Sequence, residues 1–285
     1  MERWYLFFRE RLLSPYVLLL SLGLSLSGQF FGGAQFYFIP TLMTFIGMLL
    51  FFAMFHLIRE IKDYPKDKVA HPDYPIPQGI ITLPAAQAMF YRGQMVLYFF
   101  SVLLWIFFSQ LAAFTFAVAA VYLWHIYKGF YFEEWMKRHP MTHAWVEQLV
   151  FLPLALFAVA MGSSFSALTI SAFSWSLMMY GAFMTYELCR NLDPMAHPIL
   201  VTYTQYYGYH KLFFYLAMTV IITFFSAISL GVAWILWPME GVVLTALVVL
   251  YFNSHLHFLA YYSALVSLML HAWSLFLVPL LRFSY

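Results

Sequence analysis

The sequence predicts an all-α, polytopic membrane protein with a single domain over residues 1–285. Three observations support this fold class. Hydrophobic residues make up 64% of the chain and charged residues only 9%, with a mean hydropathy of +0.79, whereas about 25% of the residues in a soluble domain are charged. The apolar runs are long and do not alternate with polar residues, which excludes a β-barrel. Helices therefore remain as the elements that pair their own backbone groups in lipid.

Nine apolar segments approach the length of a transmembrane helix, which is roughly 17–25 residues. The segment that begins near Tyr16 has no small-residue cleavage site after it, so we interpret it as the first span and not as a removable signal peptide. Only Ser254, His255 and His257 separate the last two spans, and one long kinked helix is the alternative there. The predicted spans are residues 14–32, 37–58, 85–108, 110–127, 146–163, 167–187, 211–237, 240–257 and 260–281.

Basic residues predict the orientation of this bundle. Twelve of the 14 Lys and Arg residues precede span one or follow spans two, four and six, the exceptions being Arg92 and Arg282. Because Lys and Arg accumulate in cytoplasmic loops, we expect the N-terminus and these long loops to be cytoplasmic, and function to lie at that face. The net charge of +2 is too small to indicate nucleic acid as a partner. The single cysteine, Cys189, excludes an internal disulfide.

The segment after span two holds the densest group of charges. Seven of the twelve residues from Arg59 to Ala70 are charged. Glu60, Asp63 and Asp67 are spaced i, i+3 and i+7, so on a helix they share one face. Such carboxylates suit Mg²⁺, which keeps several waters and is often shared with substrate phosphates. The alternative is a solvated helix end in which the acids pair with neighbouring lysines. A stiff, proline-rich loop of about 25 residues is expected to follow span two.

The end of span six holds a second polar cluster. Glu187 and Asn191 are four residues apart and can both present oxygen ligands, while Arg190 can clamp a phosphate. An ordinary ion pair between Glu187 and Arg190 is an equal alternative. The residues that begin at Asp67 (Asp-Lys-Val-Ala-His-Pro) resemble those that begin at Asp193 (Asp-Pro-Met-Ala-His-Pro). A duplication would place the two clusters on either side of one cavity, and chance similarity is the alternative.

Two facing oxygen clusters with basic residues nearby are suited to diphosphate chemistry, in which Mg²⁺ neutralises the leaving group. A lipid is the expected substrate because the surrounding spans are apolar and aromatic, and aromatic faces can stabilise an allylic cation. Arg92, inside span three, needs an anionic partner if it is buried. Lys128 could reach a diphosphate or extend to the lipid headgroups. The candidate diphosphate ligands are Arg59, Lys62, Arg92 and Lys128.

These residues resemble the signature of the UbiA superfamily of intramembrane prenyltransferases. Its first motif reads Asn-Asp-x-x-Asp-x-x-x-Asp and is followed by Arg-Pro-[Ile/Leu]-x-x-Gly. Glu60, Asp63 and Asp67 stand at the three acidic positions, and the segment 74–79 (Tyr-Pro-Ile-Pro-Gln-Gly) aligns with the tail, with Tyr74 where the tail usually has Arg. Arg59 replaces the Asn of this motif and Glu60 replaces its first Asp. The second motif, Asp-x-x-x-Asp, is represented here by Glu and Asn at positions 187 and 191.

The resemblance implies a central, lipid-accessible cavity and transfer of a polyprenyl group from its diphosphate to a lipid or aromatic acceptor. Two alternatives stay open: phosphoribosyl transfer or prenyl cyclisation on the same fold, and a non-catalytic lipid carrier, transporter or scaffold with a decayed second motif. The scarcity of polar residues at mid-membrane depth argues against a transporter. By the resemblance, Mg²⁺ is held by Glu60, Asp63, Asp67, Glu187, Asn191 and Asp193, Tyr203 joins the diphosphate ligands, and Asp63, Asp67 and Arg190 are catalytic.

Overall fold

The computed structural model describes residues 2–11, 13–31, 36–163, 166–193 and 195–282. Within these ranges the chain is helical and contains no strand, which confirms the all-α prediction. Its α-helices are α1 (Glu2–Arg11), α2 (Pro15–Phe31), α3 (Phe38–Ala70), α4 (Leu83–Phe107), α5 (Gln110–Tyr127), α6 (Glu133–Arg138), α7 (Pro140–Gln148), α8 (Phe151–Gly162), α9 (Ile170–Arg190), α10 (Tyr203–Leu230), α11 (Ala233–Phe252) and α12 (His257–Arg282).

The predicted count of nine membrane spans is not confirmed. Among the described residues, seven helical segments are long and apolar enough to cross a membrane: α3, α4, α5, α7 together with α8, α10, α11 and α12. Helix α2 is shorter, at 17 residues. Helix α9 has 21 residues but packs against α8, α10 and α12 and buries most of its side chains. Polar side chains in a membrane bundle face its interior, so an enclosed helix can have a lower mean hydropathy than one that faces lipid.

Two boundaries differ from the sequence prediction. Helix α3 continues through Pro65 to Ala70, so the charged segment is helical and the loop that follows is only residues 71–82. A proline removes a single hydrogen bond, which a long helix tolerates near its end. The break predicted near Pro238 lies instead at Gly231, whose φ of 69° ends α10 in the left-handed conformation that favours glycine. Pro238 lies inside α11.

The last two helices are separate, as the nine-span prediction requires. Asn253 ends α11, and its side chain accepts a hydrogen bond from the backbone of His255 before α12 begins at His257. The two helices pack against each other. Their interface contains a buried polar pair that was not predicted from the sequence. His271 Nε2 lies 3.2 Å from Glu240 Oε1, and both side chains are buried. Mid-helix polar residues are therefore more frequent than expected.

Close packing of small and aromatic residues holds the bundle together. A Cβ atom on Gly28 of α2 would lie 2.5 Å from the carbonyl carbon of Ala158 in α8, so only glycine allows these backbones to approach. Phe151 and Phe183 stack with ring centroids 3.5 Å apart and join α8 to α9. This packing brings the polar end of α3 beside the end of α9 and the starts of α7 and α10.

Candidate active site

The polar ends of α3, α7, α9 and α10 surround a cavity of about 610 Å³. Among the residues that the structure describes, six carboxylates line it, which is half of the 12 acidic residues in the chain. Four Lys or Arg residues and four histidines line it as well. The ionisable lining residues are Arg59, Glu60, Lys62, Asp63, Lys66, Asp67, Glu147, Glu187, Arg190 and Asp193, together with His56, His71, His143 and His197.

The first acidic cluster lies on one face of α3, as its spacing predicted. Glu60, Asp63 and Asp67 all line the cavity, and Glu60 and Asp67 are each 8% exposed. Because α3 stays helical to Ala70, the i, i+3, i+7 relation holds along the whole segment. Lys62 also reaches the cavity. The structure therefore brings these predicted residues together on one side of the cavity.

The second cluster differs from the predicted metal ligands. Arg59 Nη2 lies 2.6 Å from both carboxylate oxygens of Glu187. Asn191 Nδ2 donates to Glu187 Oε1 at 2.8 Å, and Arg190 Nη2 lies 3.5 Å from the same oxygen. Both oxygens of Glu187 therefore face nitrogen donors. Arg59, predicted as a diphosphate ligand, lines the cavity and joins α3 to α9 through this ion pair.

Asp193 and Tyr203 both line the cavity, but the contacts of Asp193 are with Met195 and His257 and not with the cluster around Glu187. The Asp193 side chain is 41% exposed, and its Oδ1 accepts a hydrogen bond from the backbone N–H of Met195 at 2.8 Å. His257 Nε2, at the start of α12, lies 3.8 Å from the same oxygen. Asp193 therefore caps a turn at the rim. Tyr203 begins α10 and lines the cavity as predicted.

Two predicted diphosphate ligands, Arg92 and Lys128, are not brought to the cavity. Arg92 is exposed. The buried residues Phe90 and Gln94 lie on the packed face of α4, and a residue two positions from each of them points away from that face. The condition on which an anionic partner of Arg92 depended, its burial, is therefore not met. Lys128 is exposed and lies over the rings of Trp124 and Tyr127, at 5.2 and 5.3 Å from their centroids.

Residues of α7 form a wall that sequence reasoning missed. His143 Nε2 lies 3.3 Å from Lys62 Nζ and 3.9 Å from a carboxylate oxygen of Glu147. Glu147 is 9% exposed. The predicted span five began at residue 146, which left most of α7 in a loop. The signal was present, because His143 and Glu147 are four residues apart at the start of an apolar run.

The two clusters differ in their fitness for a divalent cation. Among the described residues, no three Asp, Glu, His or Cys side chains form a ready-made metal cage. Mg²⁺ does not require one, since one or two carboxylates, waters and substrate phosphates complete its shell. Asp63 and Asp67, four residues apart on the cavity wall, fit that requirement. Glu187 does not, because guanidinium and amide groups occupy its oxygens.

Comparisons with known proteins agree with this architecture. A solved structure described as "Structural and mechanistic insights into the biosynthesis of Digeranylgeranylglyceryl phosphate synthase in membranes" aligns with a TM-score of 0.61. The alignment covers 96% of this chain and 99% of that chain at 16% identity, a level at which the likeness concerns the fold. No curated protein matches the chain. A model of the UbiA prenyltransferase family matches residues 18–281, a range that includes both acidic clusters. The chain therefore belongs to the UbiA prenyltransferase family.

Proposed function

We propose that this protein transfers a polyprenyl group from its diphosphate to an acceptor within the membrane, in a Mg²⁺-dependent reaction. The observation that supports this most directly is the cavity, which gathers acids, cations and histidines at the polar end of an apolar bundle. A diphosphate needs such charges, and a prenyl chain needs the apolar bundle. Membership of the UbiA prenyltransferase family supports the same reaction class.

The first acidic cluster is the proposed metal-binding wall. Asp63 and Asp67 would each offer an oxygen ligand, with Glu60 beside them on the same helix face. A bound Mg²⁺ would neutralise the diphosphate and so favour its departure as a leaving group. The chain's own contribution is to hold these carboxylates on a rigid helix, so that the diphosphate is fixed with its prenyl chain toward the apolar interior.

Arg190 is the proposed direct ligand of the diphosphate. Its Nε atom is buried and has no hydrogen-bond partner among the described residues, although the side chain lines the cavity. A buried donor without a partner is costly, and a phosphate oxygen would satisfy it. Lys62 and Lys66 on α3 provide positive charge on the opposite wall.

The acceptor is proposed to be a lipid. The solved structure of similar fold is described as a synthase of digeranylgeranylglyceryl phosphate, a prenylated glyceryl phosphate. Aromatic acceptors are the alternative within the same reaction class. A non-catalytic carrier would retain diphosphate binding without turnover, so the experiment must detect the bond that is broken.

Turnover of a labelled prenyl diphosphate tests the proposed function. Purified protein, geranylgeranyl diphosphate and an extract of the host's membrane lipids should release inorganic diphosphate and form an apolar labelled product only when Mg²⁺ is present. Asp63→Asn and Asp67→Asn should each reduce the rate about 100-fold or more, since each removes a charged metal ligand. Asp73→Asn, at an exposed loop position outside the cavity, is the matched control. Full activity in both cavity variants would contradict the assignment.

A further inference from the structure

The Arg59–Glu187 ion pair is the least expected feature of the cavity. It joins positions 128 residues apart in the sequence, and the two side chains are 16% and 7% exposed. Asn191 and Arg190 complete the ring of donors around the same carboxylate. Arg59 of α3 and Arg190 of α9, against Glu187, leave a net charge of +1 around this carboxylate. The rest of the α3 face at the cavity has three carboxylates and two lysines: Glu60, Asp63, Asp67, Lys62 and Lys66.

We propose that Arg59 is a built-in cation that takes the place of a divalent metal ion at Glu187, so that metal binds only at the α3 carboxylates. This inference rests on the proposed function for the identity of the bound anion, a diphosphate. One phosphate would then be held through metal at the α3 carboxylates, and the other directly by the cations around Glu187. Arg59 is in this view a positioning residue, which fixes Glu187 and adds positive charge beside it.

Electrostatics explains why a metal and Arg59 exclude each other. A divalent cation bound to Glu187 would lie within a few ångströms of two guanidinium groups, and such repulsion is strong where water is scarce. Moving Arg59 away would leave its charge buried and without compensation. The donors already present satisfy both oxygens of Glu187, so a metal would have to replace hydrogen bonds that are already made.

The experiment counts bound Mn²⁺, used as a spectroscopic substitute for Mg²⁺, by electron paramagnetic resonance on the full-length protein in detergent. The double variant Arg59→Asn/Asn191→Asp removes the cation and adds a carboxylate one helical turn from Glu187. It should bind about one Mn²⁺ more per chain than the native protein does. Arg59→Lys/Asn191→Asp, which keeps a cation beside the same added carboxylate, is the matched control and should bind no additional ion.

The inference is tested by the difference in the number of bound Mn²⁺ ions between the double variant and the native protein. A gain of one ion in the double variant supports the exclusion of metal from Glu187 by Arg59. A native chain that binds no ion would contradict the metal site at the α3 carboxylates, and with it the proposed Mg²⁺ dependence. An equal count in the double variant and the native protein overturns the inference. Glu187→Gln provides a second test that does not depend on the double variant being folded. The native count should be unchanged by Glu187→Gln, and loss of one ion would show that Glu187 already holds a metal.

Thermal unfolding provides a readout that is independent of spectroscopy. A cation that binds only the folded state raises the unfolding midpoint. Saturating Mn²⁺ should therefore raise the midpoint of the double variant by several degrees more than it raises that of the native protein or of Arg59→Lys/Asn191→Asp. Equal shifts in all three proteins would contradict the creation of a new site.

Discussion

At the scale of single residues, sequence spacing predicted which side chains of one helix share a face of the cavity, but not which side chains of different helices meet there. Glu60, Asp63 and Asp67 were predictable because residues three and four apart on a helix share a face. The pairing of Arg59 with Glu187 was not, because it depends on how α3 packs against the end of α9. Sequence spacing predicts neighbours on one helix and does not predict contacts between helices.

Substitution of Arg190 tests the assignment of the diphosphate ligand. Arg190→Gln should weaken binding of a prenyl diphosphate about 10- to 100-fold, because a hydrogen bond to a charged group contributes about 1.5–3 kcal/mol. Arg92→Gln and Lys128→Gln should leave the affinity unchanged, since both side chains lie outside the cavity. The measurement is the dissociation constant at fixed ionic strength. Equal losses in all three variants would indicate a general charge effect and contradict a specific role for Arg190.

At the scale of helices, composition and length predicted most elements but misplaced some ends. Helix α5 has the predicted bounds, because Ser109 caps its start and the apolar run ends where the helix ends, at Tyr127. Helix α3 runs past its apolar part, since a charged segment can stay helical outside lipid. Pro65 and Pro238 both lie inside helices, whereas the boundary between α10 and α11 lies at Gly231.

The approach of α2 to α8 gives a stability prediction. Gly28→Ala should lower the free energy of unfolding by about 1–3 kcal/mol, because the new methyl group would meet the backbone of Ala158. Gly241→Ala is the matched control, since nothing lies within 4 Å of the added atom. It should be neutral or slightly stabilising, as alanine favours a helix. Thermal unfolding in one detergent measures both, and equal midpoints for the two variants would contradict the packing described.

At the scale of the whole molecule, composition was sufficient to predict an all-helical membrane protein and insufficient to count its spans. Hydropathy detects helices that face lipid, so the buried α9 does not stand out by that criterion. It is nevertheless central, because it provides Glu187, Arg190 and one wall of the cavity. The polar ends of four helices meet at one end of the bundle, which is the end that basic residues predict to be cytoplasmic.

Selective labelling tests that predicted orientation. The one cysteine of the chain, Cys189, is buried and can be replaced by Ala to give a cysteine-free background. In that background, Asp73→Cys should react with a membrane-impermeant maleimide only after the cells are permeabilised. Leu168→Cys, 66% exposed and in the connection between α8 and α9, should react in intact cells. The reverse pattern would place the cavity on the outer face.

Metal-dependent binding of a prenyl diphosphate tests the central claim most directly. Farnesyl or geranylgeranyl diphosphate should bind the purified protein in detergent with Mg²⁺ and much more weakly with a chelator. The double variant Asp63→Asn/Asp67→Asn should lose this dependence, while Asp73→Asn retains it. A folded, monodisperse native protein that binds no prenyl diphosphate in Mg²⁺, or a double variant that binds it as the native protein does, would contradict the account.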